Sequence, residues 1–131
     1  MSSAPDVPGA DAVTAWFGRW PSFHDAEILA LHLNRAGSSL LRIHAWNLES
    51  HIVDGKSSLR LTKHAVVTFR FTEISDLELA DFSVQNVIYG LGLEEADGGF
   101  LVTLKPCYGL AGFIKAAKVR VELLPGQPED E

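Results

Sequence analysis

From Glu27 onward the chain alternates with a period of two. Leu29, Leu31 and Leu33 fall on one side, and Ile28, Ala30, His32 and Asn34 on the other, the pattern of a half-buried strand. After the polar turn Arg35-Ala36-Gly37-Ser38-Ser39, Leu41, Ile43 and Ala45 alternate with Arg42, His44 and Trp46. Two such runs around a glycine-containing turn predict a hairpin. The Leu29 and Leu41 sets would share the core face, leaving His32, Arg42, His44 and Trp46 on the opposite one. His32 then stands opposite Arg42 or His44, according to register. Residues 47–61 read as a loop around the turn signal Asp54-Gly55. Alternation returns from His64 to Thr72, with Val67, Phe69 and Phe71 inward, and again at Leu77 and Leu79. Val87, Tyr89, Leu91 and Leu93 form a further strand with Gly90 and Gly92 on its other face. The turn Ala96-Asp97-Gly98-Gly99 leads to Phe100, Val102 and Leu104, and a last run, Ile114 to Leu124, alternates over Val119, Val121 and Leu123.

Only one stretch has helical spacing. Val13, Trp16, Phe17 and Trp20 fall at i, i+3, i+4 and i+7, so a short helix over about 10–19 lays an aromatic stripe on the core. Gly18 and Pro21 end it. The expected fold is therefore α+β: mostly antiparallel β-sheet of six or seven strands, curled or sandwiched, with one short N-terminal helix. No βαβ alternation supports a doubly wound or barrel α/β reading. One domain spans 1–131, its ordered core about 10–124, with loose tails at 1–9 and 125–131.

Composition narrows the function classes. The net charge of −6 disfavours nucleic acid, which needs basic surface to displace counterions. Apolar runs never exceed four residues, so no segment spans a bilayer, and the start of the chain has no secretory pattern. A single cysteine, Cys107, rules out an intrachain disulfide framework and fits a reducing, cytoplasmic setting; in a β-rich domain it reads as a small buried hydrophobe. Charge is uneven. Residues 73–97 carry Glu73, Asp76, Glu78, Asp81, Glu94, Glu95 and Asp97 with no Lys or Arg, whereas Lys105, Lys115, Lys118 and Arg120 follow. Such a block is a solvated face, or a surface that meets a basic partner. Exposed edge strands in a small sheet also allow a homodimer.

The densest polar chemistry lies in Phe23-His24-Asp25-Ala26-Glu27, between the helix and the first strand. His24, Asp25 and Glu27, with His32 and His44, are ligand types that a transition metal accepts. Along an extended strand, however, His24 and His32 would be about 26 Å apart. His24 and Asp25, as neighbours at a strand start, would point apart and form no dyad. No phosphate loop, nucleophile elbow, His-Glu-x-x-His or Cys-x-x-Cys is present, and Cys107 has no evident base. The segment therefore reads first as structural. Phe23 plugs the core, Asp25 accepts backbone N–H bonds in the turn, and His24 donates to a carbonyl of a neighbouring strand. A small metal- or ligand-binding site at His24, Asp25 and Glu27 is the alternative.

Two stretches carry a resemblance. Trp20-Pro21-Ser22-Phe23-His24-Asp25-Ala26-Glu27-Ile28, followed by Leu29, Leu31 and Leu33, resembles the N-terminal motif of the immunity protein 50 family. Leu77-Glu78-Leu79-Ala80-Asp81-Phe82-Ser83-Val84-Gln85-Asn86-Val87-Ile88 resembles a second part of it. The likeness covers most of residues 16–123. It implies a small bacterial protein that neutralises a cognate protein toxin by binding, without catalysis and without a cofactor; no catalytic residues carry over. Two surfaces suit such a partner. One is the acidic set Glu73, Asp76, Glu78 and Asp81. The other is the hairpin face of His32, Arg42, His44 and Trp46, since Trp and Arg are the usual interface anchors.

Overall fold

The alternating segments all become strands, and their sheet rolls up until its first and fourth strands meet. The computed structural model describes residues 5–128; residues 1–4 and 129–131, the outer parts of the two expected tails, lie outside the described residues. One helix, α1 (Ala10–Phe17), precedes six strands: β1 (Glu27–His32), β2 (Ser39–Val53), β3 (Lys56–Ala80), β4 (Val87–Ala96), β5 (Gly99–Tyr108) and β6 (Ala111–Pro125). They form a closed antiparallel barrel in the order β1-β2-β3-β6-β5-β4. The expected α+β, mostly antiparallel architecture is present, and the sheet is curled rather than sandwiched. Closure removes most of the free edge that an open sheet of this size would expose.

The predicted inward sets fill the barrel. Leu41, Ile43, Ala45, Val67, Phe69, Phe71, Val102, Leu104, Ile114, Val119 and Val121 are all buried in one cluster. Val13, Phe17 and Trp20 of the helical stripe join them, with Trp16 packed at the margin. The helix ends on Gly18 at φ 84°, and Asn47 Nδ2 donates to the Phe17 carbonyl at 3.0 Å, satisfying one of the open carbonyls of the last turn. Just ahead of the helix, Val7 is buried, and Pro8 O accepts from Val121 N at 2.9 Å. That N–H is available because β5 pairs with β6 only from Ala116 to Gly112.

Three expectations fail, each for the same reason: an extra residue shifts the parity. In β1 the register slips between Ile28 and Ala30, so Ile28 rather than Leu29 enters the core while Leu31 still packs against it. The same slip sets His32 opposite Leu40, neither Arg42 nor His44. In β4 two shifts flank Ile88; Ile88 is buried and Tyr89 turns out to solvent. A bulge adds one residue to one strand and exchanges the faces beyond it, which an alternation count cannot register. The expected loop at 47–61 is also strand. Asp54 and Gly55, at φ 53° and 75°, make the two-residue turn that Asp-Gly favours. From there β2 and β3 run paired through Val53↔Lys56 and Leu48↔Leu61, and β3 continues for 25 residues.

Closure rests on the two motif segments. Only Glu27 and Val87 pair as ladder partners between β1 and β4. Backbone bonds on either side extend the seam: Asp25 N to Ile88 O at 2.8 Å, Ile88 N to Ala26 O at 2.9 Å and Ile28 N to Asn86 O at 2.8 Å. To present those groups the chain coils, with Phe23 and Asp25 in the left-handed region at φ 62° and 67°. This conformation costs about 1–3 kcal/mol for each such residue. Burial of Phe23 offsets it: the ring lies edge-on to Trp20 and Phe69 at centroid separations of 5.6 and 5.7 Å. On the other side of the seam stands Asn86, only 2% exposed. Its Oδ1 accepts from Ser83 N and Leu110 N, both at 2.9 Å, and its Nδ2 donates to Ser83 O at 2.7 Å. Gly109, at φ 79°, leaves the space for it; a Cβ there would come within 2.3 Å of Asn86 Oδ1.

Asn86→Ala orphans the buried Leu110 N–H and removes both bonds that hold the Ser83 backbone to the seam. It is expected to lower unfolding free energy by about 3 kcal/mol, read as a fall in the urea midpoint at unchanged slope. A loss under 1 kcal/mol would show that closure does not depend on this side chain.

Candidate functional site

The polar motif and the hairpin face, separate in sequence, open onto one cleft. It has a volume of about 260 Å³, and its walls include Arg19, His24 and Asp25 on one side and Trp46 and Leu48 on the other. The reason is local. With Phe23 and Asp25 in left-handed conformations, residues 23–26 curl instead of extending, and the expected divergence of His24 and Asp25 does not occur. His24 Nε2 and Asp25 Oδ1 stand 3.6 Å apart, both more than half exposed. His24 Nδ1 lies 2.9 Å from the carbonyl oxygen of Tyr89, the carbonyl contact expected from the sequence, and the two rings meet edge to face. The carboxylate of Asp25 faces His24 rather than capping the turn; its own N–H makes the seam bond to Ile88.

Behind Trp46 lies an imidazole pair. Glu27 is the ladder partner of His44, and His44 Nε2 is 3.0 Å from His64 Nδ1. The His44 ring contacts Trp46 at 4.8 Å between centroids and stacks on His64 at 5.2 Å. His64 reaches this position through a bulge: β3 carries two residues, Lys63 and His64, opposite Trp46 alone, and Lys63 is left-handed at φ 55°. The helix locks the bulge, because Trp16 Nε1 donates to Lys63 O at 2.9 Å and Lys63 Nζ sits 4.7 Å above the Trp16 ring.

The remaining candidates disperse. Arg42 lies on the outer wall two residues from His44, between Ala30 and Thr68. His32 is exposed at the far end of β1, so it joins neither His24 nor His44. Among the described residues no three His, Cys, Asp or Glu side chains form a group able to hold a metal ion. Cys107 is exposed, not buried as expected. The acidic block divides between non-adjacent strands: Glu73, Asp76 and Glu78 on β3 with Asp81 just beyond, and Glu94, Glu95 and Asp97 at the end of β4. Lys115 of β6 enters the gap. It is the ladder partner of Asp76, and its Nζ donates to Asp97 Oδ2 at 2.6 Å, which holds the Asp97 carboxyl below its ordinary range. His64, Tyr89, Arg19 and Leu48 had no sequence signal as site residues, since bulges and barrel closure bring them in.

Burial holds the His44 imidazole below its ordinary value of 6.5; neighbouring His64 pushes the same way and Glu27 opposes both. The hydrogen bond gives a geometric reason, since two imidazoles can share one only while one facing nitrogen lacks a proton. A His with a folded value below its unfolded one binds fewer protons when folded, so stability rises with pH. That contribution is complete above 6.5 and declines as pH falls toward the folded value. The urea midpoint should therefore drop between pH 7.5 and 5, and His44→Gln should flatten the drop. An unaltered slope in the variant would assign the effect elsewhere.

The comparisons with known proteins agree with the two motifs. No curated protein and no solved structure matches the chain. The family model described as immunity protein 50 matches residues 9–124, from the residue before α1 to the penultimate residue of β6, and includes both halves of the closing seam. With most of its length matched, the chain belongs to the immunity protein 50 family.

Proposed function

We propose that this protein neutralises a cognate protein toxin in the cytoplasm by direct, non-catalytic binding, and that the toxin docks at the cleft between Trp46 and the His24–Asp25 pair. The observation that carries this reading is the placement of Trp46. It is half-buried on the outer barrel wall, where it lines an open cleft, held on one side by two imidazole rings. Rigid aromatic anchors beside an Arg dominate protein interfaces because they bury much area with little loss of side-chain entropy. Arg19, His24 and Asp25 supply polar groups at the rim, where they set register and orientation. The same groups make poor catalysts. His24 Nδ1 is tied to a backbone carbonyl, and the nearby Ser22 hydroxyl accepts from the His24 backbone N–H at 3.2 Å rather than meeting its imidazole.

A second docking surface is favoured by one feature of β3. Its segment from Thr72 to Ala80 pairs with β6 but, among the described residues, has no strand partner on the β2 side, because β2 begins at Ser39 opposite Phe71. Glu73, Asp76 and Glu78 line this free edge, to which a basic extended segment of a toxin would add as a strand.

The test is protection of host cells by co-expression with the toxin encoded beside this gene, alongside affinity measured by calorimetry. Trp46→Ala is expected to weaken binding at least tenfold and to abolish protection at low expression, with little change in thermal midpoint. The triple variant E73K/D76K/E78K should leave binding within twofold. The reverse pattern moves the toxin to the β3 edge, and full protection by both variants removes both surfaces.

A further inference from the structure

Beyond the barrel wall, β2 and β3 continue as a two-stranded arm whose outer part, past Asn47, pairs with no other strand among the described residues. β1 leaves β2 at His44, and β6 leaves β3 at Ala65. Residues 47–62 are therefore paired only with one another. Such a ribbon is marginal in water unless one face is buried. Ladder partners project to the same face, so the pairs Leu48–Leu61, Ser50–Leu59 and Ile52–Ser57 make one face, and Glu49–Arg60 and Val53–Lys56 lie on the other. The first face has no charge. Its aliphatic side chains are exposed at 62% (Leu48), 76% (Ile52), 67% (Leu59) and 49% (Leu61), an unusual concentration of uncovered apolar surface.

We infer that this face is a homodimer interface, in which the arms of two copies stack antiparallel. Charge selects this occupant. The chain carries −6, yet within 48–61 Glu49 and Asp54 are balanced by Lys56 and Arg60. A surface that meets its own copy cannot use opposite charges across a large like-charged patch, and the arm is the neutral part of an acidic molecule. The register is also self-complementary. A two-fold axis through the Ser50–Leu59 row, in the plane between the ribbons, sets Leu48 over Ile52 of the other copy and Leu59 over its own equivalent. In the other outer pair Leu61 meets the small Ser57. The footprint is about 20 by 10 Å per copy at ordinary strand spacings. At about 200 Å² per copy it lies well below the roughly 800 Å² per partner of a standard specific interface, so the dimer is weak and exchanging. The dimer uses the outer rows of the arm and meets the Trp46 cleft only at Leu48, which lines both surfaces.

Sedimentation equilibrium of the full chain tests this directly. Wild type should move from the chain mass of 14.3 kDa toward twice that value as concentration rises from micromolar to a few hundred micromolar. The variant I52E/L59E should hold the chain mass throughout, with an unchanged circular dichroism spectrum. In a Cys107→Ser background, Leu59→Cys should form a covalent dimer under mild oxidation whereas Arg60→Cys, on the opposite face, should not. The proposal is overturned by a constant 14.3 kDa for wild type over that range, or by equal cross-linking at 59 and 60. A monomeric wild type whose toxin affinity falls in I52E/L59E gives the arm to the toxin instead. Because Trp46 is untouched in these variants, the outcome is independent of the docking site tested above.

Discussion

The barrel depends on a seam of a few backbone hydrogen bonds between chain segments sixty residues apart in sequence. Every other strand pair is longer, with β2–β3 and β3–β6 each running for more than a dozen rungs. Local hairpins supply most of those rungs at little loop entropy. The β1–β4 contact is different, because it closes the ring and its loop is long. Its short ladder is reinforced by side chains: Phe23 anchors one strand in the core, and Asn86 ties the other to Ser83 and to Leu110 at the start of β6. Three hydrogen bonds of one buried amide and one aromatic plug hold a junction that backbone pairing alone would leave frayed.

The candidate site follows from that closure. A coil tight enough to offer Asp25 N and Ala26 O to Ile88 must turn His24 and Asp25 outward together, and it must do so beside the wall formed by β2. The seam therefore places an exposed His–Asp pair within one cleft of Trp46. The two roles that compete in the sequence, structural junction and binding surface, are divided within one segment: Phe23 and Ala26 face inward, His24 and Asp25 outward. The His44–His64 pair is a separate consequence of the Lys63 bulge, and its stacked geometry stiffens the wall on which Trp46 stands.

Surface electrostatics depend on topology in the same way. A run of seven acids without a base looks like one patch along the chain. In the barrel β6 and β5 separate β3 from β4, and Lys115 bridges toward both halves. What remains is an acidic free edge on β3 at one end and a neutral apolar arm at the other. A single 25-residue strand thus carries two surfaces of opposite character, suited to different partners.

Alternation by itself determined the strands, their inward sets at Leu41–Ala45, Val67–Phe71 and Phe100–Leu104, the helical stripe from Val13 to Trp20, and the turns at Asp54-Gly55 and Asp97-Gly98, because side-chain period and turn chemistry are local. The arm was half legible: Leu59-Arg60-Leu61-Thr62 alternates, and Asp-Gly is a hairpin signal, but a strand with no core to face has no inward set to reveal it. Tertiary structure decided the rest. Bulges at Leu29, Lys63 and around Ile88 exchange faces at a cost that only distant partners repay, so the positions of Ile28, His64 and Tyr89 follow from packing. The joining of His24 and Asp25 to Trp46, and the division of the acidic run by Lys115, follow from ring closure. Closure is a non-local constraint, and no pattern within a window of ten residues contains it.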